Sequence, residues 1–479
     1  MDVIENLCIG AVNCVCTSLV VGGISLKIVV VGAGAVGFHV ARHLAMENKD
    51  VVVVDDSPEA TRRVSEHLDV QTITGSGSSP LILREAGIRG ADIMLAVTDR
   101  DETNLVACMV THLLAPNTTK IARIRDAGFD EFHEKFQKNP PRIDTIINPE
   151  IEAVKTIYRL MSVPGATDVG EFAEGRLRFV GVYVGSDSPL DRVRLSDLPA
   201  KTVPVRLLIA AVVRDEKLII PRGKDRLQAG DLVYFISEVD KFFETLAIFG
   251  KQQKPTKRVL IIGGGRIGFR LASLLEEKSI SVKLIDKNSN RCTLLADNLN
   301  KSIVLCGDGS DQALLNEENI SEMDVVVTVT DDEETNILSS LLAFRMGARQ
   351  TIVKLDKLSY LPLMNAIGIE QVVSPRLCAI NSILQHIRKG KVLSAMSIKG
   401  EQAEVMEAVA LDTSDIVGRP LKDIKFPDGA MVVSILRNGS IIIPSGESIV
   451  IPGDRVIIFA HREALLKVEQ ILAVKLEYF

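Results

Sequence analysis

Residues 27–56 read KIVVVGAGAVGFHVARHLAMENKDVVVVDD, and residues 258–286 read RVLIIGGGRIGFRLASLLEEKSISVKLID. In each, an apolar run of strand length (28–31; 259–262) leads into G-x-G-x-x-G, supplied by Gly32, Gly34 and Gly37 and again by Gly263, Gly265 and Gly268. Helical periodicity follows, then a second apolar strand that ends in an acid, Asp55 or Asp286. This is the spacing of a dinucleotide-binding β-α-β unit. The first glycine permits the tight turn, the second lets backbone approach a pyrophosphate, and the third lets helix and strand pack closely. Free N–H groups at the helix start hold phosphates. The terminal carboxylate accepts hydrogen bonds from a ribose diol and repels the extra phosphate of NADP, so NAD or another adenosine nucleotide is expected over NADP. A glycine turn alone is weak evidence. Here the strand, the helix and the acid accompany it, and the whole unit recurs.

At 479 residues the chain exceeds a single core, and about three to four domains are expected. It is 46% hydrophobic and 25% charged, as a soluble globular protein is, but only 4% aromatic and without Trp. Aliphatic residues must therefore fill the cores, as in parallel sheets buried on both faces. A net charge of −6 leaves no basic footprint for nucleic acid. The cysteines lack metal-ligand spacing, and Cys108, Cys292, Cys306 and Cys378 fall in helix- or strand-like runs, where buried, reduced thiols are expected. Residues 7–26 carry no charge and have the length of a membrane span, yet acids precede them, no Lys or Arg does, and glycines dilute them. They make a poor anchor and a poor signal peptide. The preferred reading is an N-terminal extension, 1–26, with the biological start at or near Leu26.

Outward from the first glycine loop, a third strand reaches Ser76, a fourth ends at Thr98 and Asp99, and a fifth, IARIR, carries Arg123. In a doubly wound parallel sheet these positions share the rim that faces the glycine loop. The second copy repeats the rim with Asp308, Thr330 and Asp331, and Lys354. Glu334-Thr335-Asn336 repeats Glu102-Thr103-Asn104. Helices at 148–161 and 375–389 lead out of the two sheets into β-rich segments, which share P-x-G followed by Gly-Asp turns (Gly230-Asp231; Gly453-Asp454). The expected domains are 27–147 and 257–375, Rossmann-like, with 165–248 and 394–479 as their smaller companions. Residues 252–257 read as the linker between halves.

The order GAGAVG, Asp55, TDRDETN, IARIR and the P-R-G…G-D module, all duplicated, resembles the TrkA family of tandem RCK/KTN nucleotide-binding proteins. The resemblance covers residues 27 to about 475. It implies an α/β protein of two doubly wound parallel Rossmann-like domains, each followed by a small α+β RCK-type C-terminal domain. It also implies a cytoplasmic regulatory subunit at the inner face of the membrane, assembled as a homo-oligomeric gating ring under a Trk-type potassium transporter and responding to NAD(H) or to ATP/ADP. On that resemblance Gly32, Ala33, Gly34, Ala35, Val36 and Gly37 form the first phosphate turn, Asp55 the ribose contact, Thr98 and Asp99 the strand-end contact, and Arg123 a phosphate cation. Gly263, Gly264, Gly265, Arg266, Ile267 and Gly268, with Asp286, Thr330, Asp331 and Lys354, take those places in the second half. Two departures matter. The family often has Asp in the third-strand loop, where the first half has Ser76 and only the second has Asp308. Arg266 stands where the first loop has Ala35, which adds a cation for a terminal phosphate unless it points to solvent or pairs with an acid such as Asp308.

The alternative is an NAD-dependent oxidoreductase, which needs a general acid or base beside the nicotinamide. His39 and His43 lie on the first Rossmann helix, His67, His112 and His133 on others, His386 and His461 stand alone in their modules, and the β-rich segments show no Lys/His/Asp arrangement at catalytic spacing. A non-enzymatic sensor is the preferred expectation.

Overall fold

The computed structural model describes residues 26–163, 165–198, 202, 207–250, 256–369, 371–387, 392–398 and 402–472. The N-terminal extension except Leu26, and most of the 252–257 linker, lie outside the described residues.

The first half opens with β1 (Lys27–Val31), α1 (Ala35–Met46), β2 (Asp50–Asp55), α2 (Pro58–His67), β3 (Gln71–Thr74), α3 (Pro80–Glu85), β4 (Ile93–Ala96), α4 (Asp101–Leu114), β5 (Thr119–Arg123), α5 (His133–Lys138), β6 (Thr145–Ile147) and α6 (Pro149–Met161). Its strands form one sheet in the order β3-β2-β1-β4-β5-β6, and every pair is parallel. Ile28, Val29, Val30 and Val31 are buried, as a central strand with helices on both faces requires. The chain then makes β7 (Ala166–Phe172), β8 (Leu177–Tyr183), β9 (Leu208–Arg214), β10 (Lys217–Ile219), β11 (Leu232–Glu238) and α7 (Phe242–Ile248), with an antiparallel sheet ordered β10-β9-β11-β8-β7.

The second half repeats this. Its parallel sheet comes from β12 (Arg258–Ile262), α8 (Arg266–Glu277), β13 (Ser281–Asp286), α9 (Ser289–Asn298), β14 (Ile303–Cys306), α10 (Gln312–Glu317), β15 (Val325–Thr328), α11 (Glu333–Arg345), β16 (Thr351–Lys354), α12 (Leu361–Ala366) and β17 (Val372–Val373). The order β14-β13-β12-β15-β16-β17 matches the first sheet strand for strand. After α13 (Pro375–Ile387), strands β18 (Val392–Ile398), β19 (Ala403–Val409), β20 (Ala430–Arg437), β21 (Ser440–Ile442) and β22 (Arg455–His461), then α14 (Leu465–Leu472), form the second small unit, a five-stranded antiparallel sheet with a helix.

The two halves exchange their exit helices. Ala153, Val154, Ile157 and Leu160 of α6 join a core with Val259, Leu271 and Leu275 of the second half. Ala379, Ile380, Ile383 and Leu384 of α13 join Val30, Val40 and Leu44 of the first. The apolar positions recur at helical spacing, so each helix presents one stripe, and each stripe is buried on the partner half. Burial of each Val, Ile or Leu side chain in these stripes stabilises by about 1.5–3 kcal/mol. The two helices also pack on each other, and the Cys378 thiol donates to the Thr156 hydroxyl at 3.4 Å. The small antiparallel sheets meet as well: Phe179 stacks on Phe459 with centroids 6.3 Å apart, in a core that draws on both.

In each Gly-Asp turn the carboxylate is buried against an arginine 17 residues upstream. Arg214 donates from two nitrogens to Asp231 at 2.7 Å each, and Arg437 does the same to Asp454 at 3.0 and 2.8 Å. The cysteine expectation needs correction. Cys108 and Cys292 are buried, but Cys306, the last residue of β14, is exposed, and Cys378 is half-buried.

Candidate functional site

The carboxyl ends of β1, β2, β4 and β5 surround a cleft of about 390 Å³. Gly32, Gly34, Ala35, Val36, Asp55, Ser76, Thr98, Asp99 and Arg123 all line it. Ala33 and Gly37 do not line it: Ala33 is buried with its N–H given to Asp55, and Gly37 is packed against the Gly32 carbonyl.

The three glycines of each loop differ in what holds them to glycine. Gly32 has φ +108°, and a Cβ there would lie 2.8 Å from the Thr98 nitrogen; Gly263 has φ +110° and would meet the Thr330 nitrogen at 2.7 Å. A Cβ on Gly37 or Gly268 would strike the carbonyl of the first glycine at 1.8 or 1.9 Å. These four are required by the fold. Gly34 and Gly265 are not: their φ values are −64° and −66°, and an added Cβ meets nothing within 4 Å among the described residues. The open space lies at the start of α1 and α8, where unsatisfied N–H groups face outward.

The acid that ends the second strand ties strand to loop. Asp55 Oδ2 accepts from Ala33 N at 2.6 Å and Oδ1 from Ser57 N at 2.9 Å. Asp286 accepts from Gly264 N and Asn288 N, both at 2.8 Å, and Arg291 pairs with it at 3.2 Å. Each carboxylate oxygen can accept more than one bond, so both acids keep capacity for hydroxyl donors.

The strand-end threonines are held by a residue that sequence reasoning passed over. Asn104 is fully buried; its Oδ1 accepts from Thr98 N at 2.9 Å and from the Thr98 hydroxyl at 2.7 Å. Its amide donates to Thr98 O at 3.1 Å and to Arg123 O at 2.8 Å, which ties β4 to β5. Asn336 repeats the set on Thr330 and Lys354 at 2.8, 2.8, 3.1 and 3.3 Å. The available signal was the repeated Glu-Thr-Asn.

Arg123 donates to Thr98 O at 3.3 Å; burial and the neighbouring Arg125 press its pKa down, against Asp101 and Asp99. It stays cationic all the same. Lys354 donates to Thr330 O at 3.2 Å and pairs with Asp356 at 3.3 Å. Asp308 is exposed and occupied locally, accepting from Ser310 N and Oγ at 2.8 and 2.7 Å, which hold its carboxyl below the usual range. Asp331 is exposed at the rim, while Ile267 is turned into the core.

Arg266 is paired with an acid. Its guanidinium is 2.9 Å from Oε1 of Glu150, the second residue of the exchanged helix α6. The partner is thus neither solvent nor Asp308 but an acid from the other half. The corresponding second residue of α13 is Arg376, which lines the first cleft. Neither contact follows from sequence spacing, because both depend on the helix exchange.

Among the described residues no group of three or more His, Cys, Asp or Glu could hold a metal ion, and no helix is long and apolar enough to cross a membrane.

Models of two domain families match the chain, the TrkA-N domain over residues 28–149 and 259–375 and the TrkA-C domain over 179–250 and 405–473. The Trk system potassium uptake protein TrkA of Azorhizobium caulinodans is 37% identical over 458 residues, which is 95% of this chain and 100% of that protein. The protein of the same name from Halomonas elongata is 36% identical over 458 residues, with 95% and 100% covered. TrkA homolog 1 of Methanosarcina mazei is 37% identical over 452 residues, with 93% and 99% covered. Among solved structures, the GsuK RCK domain superposes with a TM-score of 0.56 at 19% identity, covering 94% of this chain and 95% of that one. The GsuK channel bound to NAD gives 0.57 at 19% identity, covering 94% and 79%.

Proposed function

The chain belongs to the TrkA family, and from that premise we propose that it is the nucleotide-binding regulatory subunit of a Trk-type potassium uptake system. In this reading each Rossmann-like unit holds NAD(H) or an adenine nucleotide, and the subunit acts at the cytoplasmic face of a membrane-embedded potassium transporter. The observation that carries it is the pair Gly34 and Gly265. Nothing in the folded chain among the described residues requires glycine at either place, yet both loops keep the space beside a helix N-terminus clear, as a pyrophosphate needs. The relatives' names, which speak of potassium uptake, and the NAD held by a protein of similar fold support the same reading. The function is regulatory rather than enzymatic, with no hydride transferred.

The exchanged helices supply a route from ligand to partner. The first turns of α6 and α13 sit at the second and first glycine loops, and the helices run on into the antiparallel units. A nucleotide that closes the cleft favours whichever arrangement of the halves best fits it, and shifts gating only by its differential affinity for the two states. We place the functional divisions at 27–147, 165–248, 257–375 and 394–479. Assembly into a homo-oligomeric ring is supported by exposed apolar side chains on equivalent helices: Val106, Met109 and Leu113 on α4, and Leu338 and Phe344 on α11.

The test is potassium uptake through a Trk-type transporter reconstituted with the wild-type chain and with the Gly34→Val, Gly265→Val double variant, alongside NAD binding by calorimetry. The reading requires that the double variant stay folded, lose NAD and lose nucleotide-dependent control of uptake. Control retained without binding refutes it.

A further inference from the structure

We propose that Arg376, delivered by the second half, is a phosphate-binding and specificity-determining residue of the first nucleotide site. The assignment rests on the nucleotide reading above and adds to it a ligand class, nucleotides with a charged terminal phosphate.

Three observations lead there. Arg376 is half-buried in the wall of the cleft formed by Gly32, Gly34, Asp55 and Arg123, although it belongs to α13 of the other half. It makes no ion pair or hydrogen bond among the described residues, while Arg123 faces the same cleft and has its pKa lowered by burial first and, among lesser causes, by the charge of Arg376. The cleft wall carries Arg100, Arg123 and Arg376 against Asp55, Asp56 and Asp99; Arg100 is paired with Asp56 at 3.0 Å, and Arg123 and Arg376 have no carboxylate partner among the described residues, so these two guanidiniums are the ones open to an anion. Finally, Arg376 stands in the first turn of α13, a helix with no acid in that turn. A cation there opposes the positive end of the helix dipole. Glu150 at the same place in α6 has the favourable sign, with Glu152 beside it and Asn148 capping. A residue that breaks the local rule in one copy of a duplicated helix, and does so inside a ligand cleft, marks a function.

The consequence is a chemical difference between the sites. The pyrophosphate of NAD is esterified at both ends and carries less charge than the triphosphate tail of ATP. An additional guanidinium therefore favours ATP or ADP over NAD at the first site. At the second site the equivalent position is an acid, already occupied by Arg266.

The experiment uses the full chain carrying Gly265→Val, so that only the first site takes ligand, titrated with ATP and with NAD by calorimetry. Arg376→Gln is expected to weaken ATP about tenfold or more, the scale of one charge-assisted contact, and to weaken NAD less. Arg376→Lys should recover part of the ATP loss, and the ATP loss should shrink as salt rises. Equal losses for both nucleotides, or no loss, overturn the assignment. They leave the site itself standing if Gly34→Val in the same background abolishes both titrations. A wild-type chain that binds neither nucleotide overturns the nucleotide reading and this assignment together.

Discussion

Oε1 of Glu150, in the first half, lies 2.9 Å from the guanidinium of Arg266, in the glycine loop of the second. The pair is asymmetric, because the Glu150 side chain is only 11% exposed and that of Arg266 60%. Oε2 of Glu150 is buried without a hydrogen-bond partner among the described residues. Burial pushes the Glu150 carboxyl up from its ordinary pKa, while Arg266, Arg270, Arg125 and Lys354 pull it back only in part. A raised carboxyl contributes stability below its unfolded pKa and loses it as pH rises through the folded value. At neutral pH the charge on Glu150 is therefore no asset to the fold.

Glu150→Gln should accordingly leave the unfolding midpoint at pH 7 unchanged or raise it. It should also release Arg266 toward phosphate, strengthening nucleotide binding at the second site by about fivefold, the equivalent of roughly 1 kcal/mol for a partly exposed pair. Titration in a Gly34→Val background isolates that site. Weaker binding in the variant would show that Glu150 supports the ligand rather than competing for Arg266.

Asn104 makes four hydrogen bonds from a fully buried amide, and an isosteric acid cannot donate two of them. Asn104→Asp should destabilise the first half by about 2–4 kcal/mol, through lost bonds and a buried charge. Asn336→Asp should do the same to the second. Hydrogen exchange resolved by segment checks the assignment, since loss of protection must fall on β4 and β5 in one case and on β15 and β16 in the other.

These contacts mark the boundary of what the sequence shows. The two Rossmann-like sheets were legible because period, glycine spacing and terminal acids are local, and because the chain states them twice. Asp55, Thr98 and Arg123 fell on one rim for the same reason. The Gly-Asp turns were readable as turns, but not Arg214 against Asp231, because side chains that meet across a sheet leave no mark in spacing. The exchange of α6 and α13 was invisible in principle: an amphipathic stripe says that a helix face is buried, not which half buries it. Glu150 and Arg376 at the two sites, and the company Arg266 keeps, follow from that exchange.

Asp55→Ala and Asp286→Ala should each remove one nucleotide site, and NADP should bind the wild type more weakly than NAD. Both acids also hold their own loops through backbone N–H groups. A folding control is therefore needed, and Asp→Asn, which keeps one acceptor oxygen, should lose less stability than Asp→Ala. Unchanged NAD stoichiometry and affinity in the double alanine variant would remove these acids from the site.

Glu276 offers a prediction in pH. It sits on α8, 8% exposed, and its carboxylate accepts from Lys301 N at 2.8 Å, Asn300 N at 3.1 Å, and Ser302 N and Oγ at 2.7 Å each. Burial acts to raise its pKa, but the Ser302 hydroxyl and the three backbone donors outweigh it and bring the carboxyl from 4.5 to about 2. With the folded value below the unfolded one, the stability it supplies is present above the unfolded pKa and is lost as pH falls through the folded one. Between the halves the glycine loops are offset by 231 (263 minus 32), so the aligned position is 276 minus 231, Ala45, and the first half lacks the device. Glu276→Gln should therefore destabilise the second Rossmann-like unit at pH 6 by roughly 2–3 kcal/mol, with the difference narrowing below pH 4.5 and closing near 2. The chain has no Trp to report locally, so hydrogen exchange over residues 258–306 is the measurement. A difference that persists undiminished at low pH would assign the effect of Glu276 to packing rather than charge.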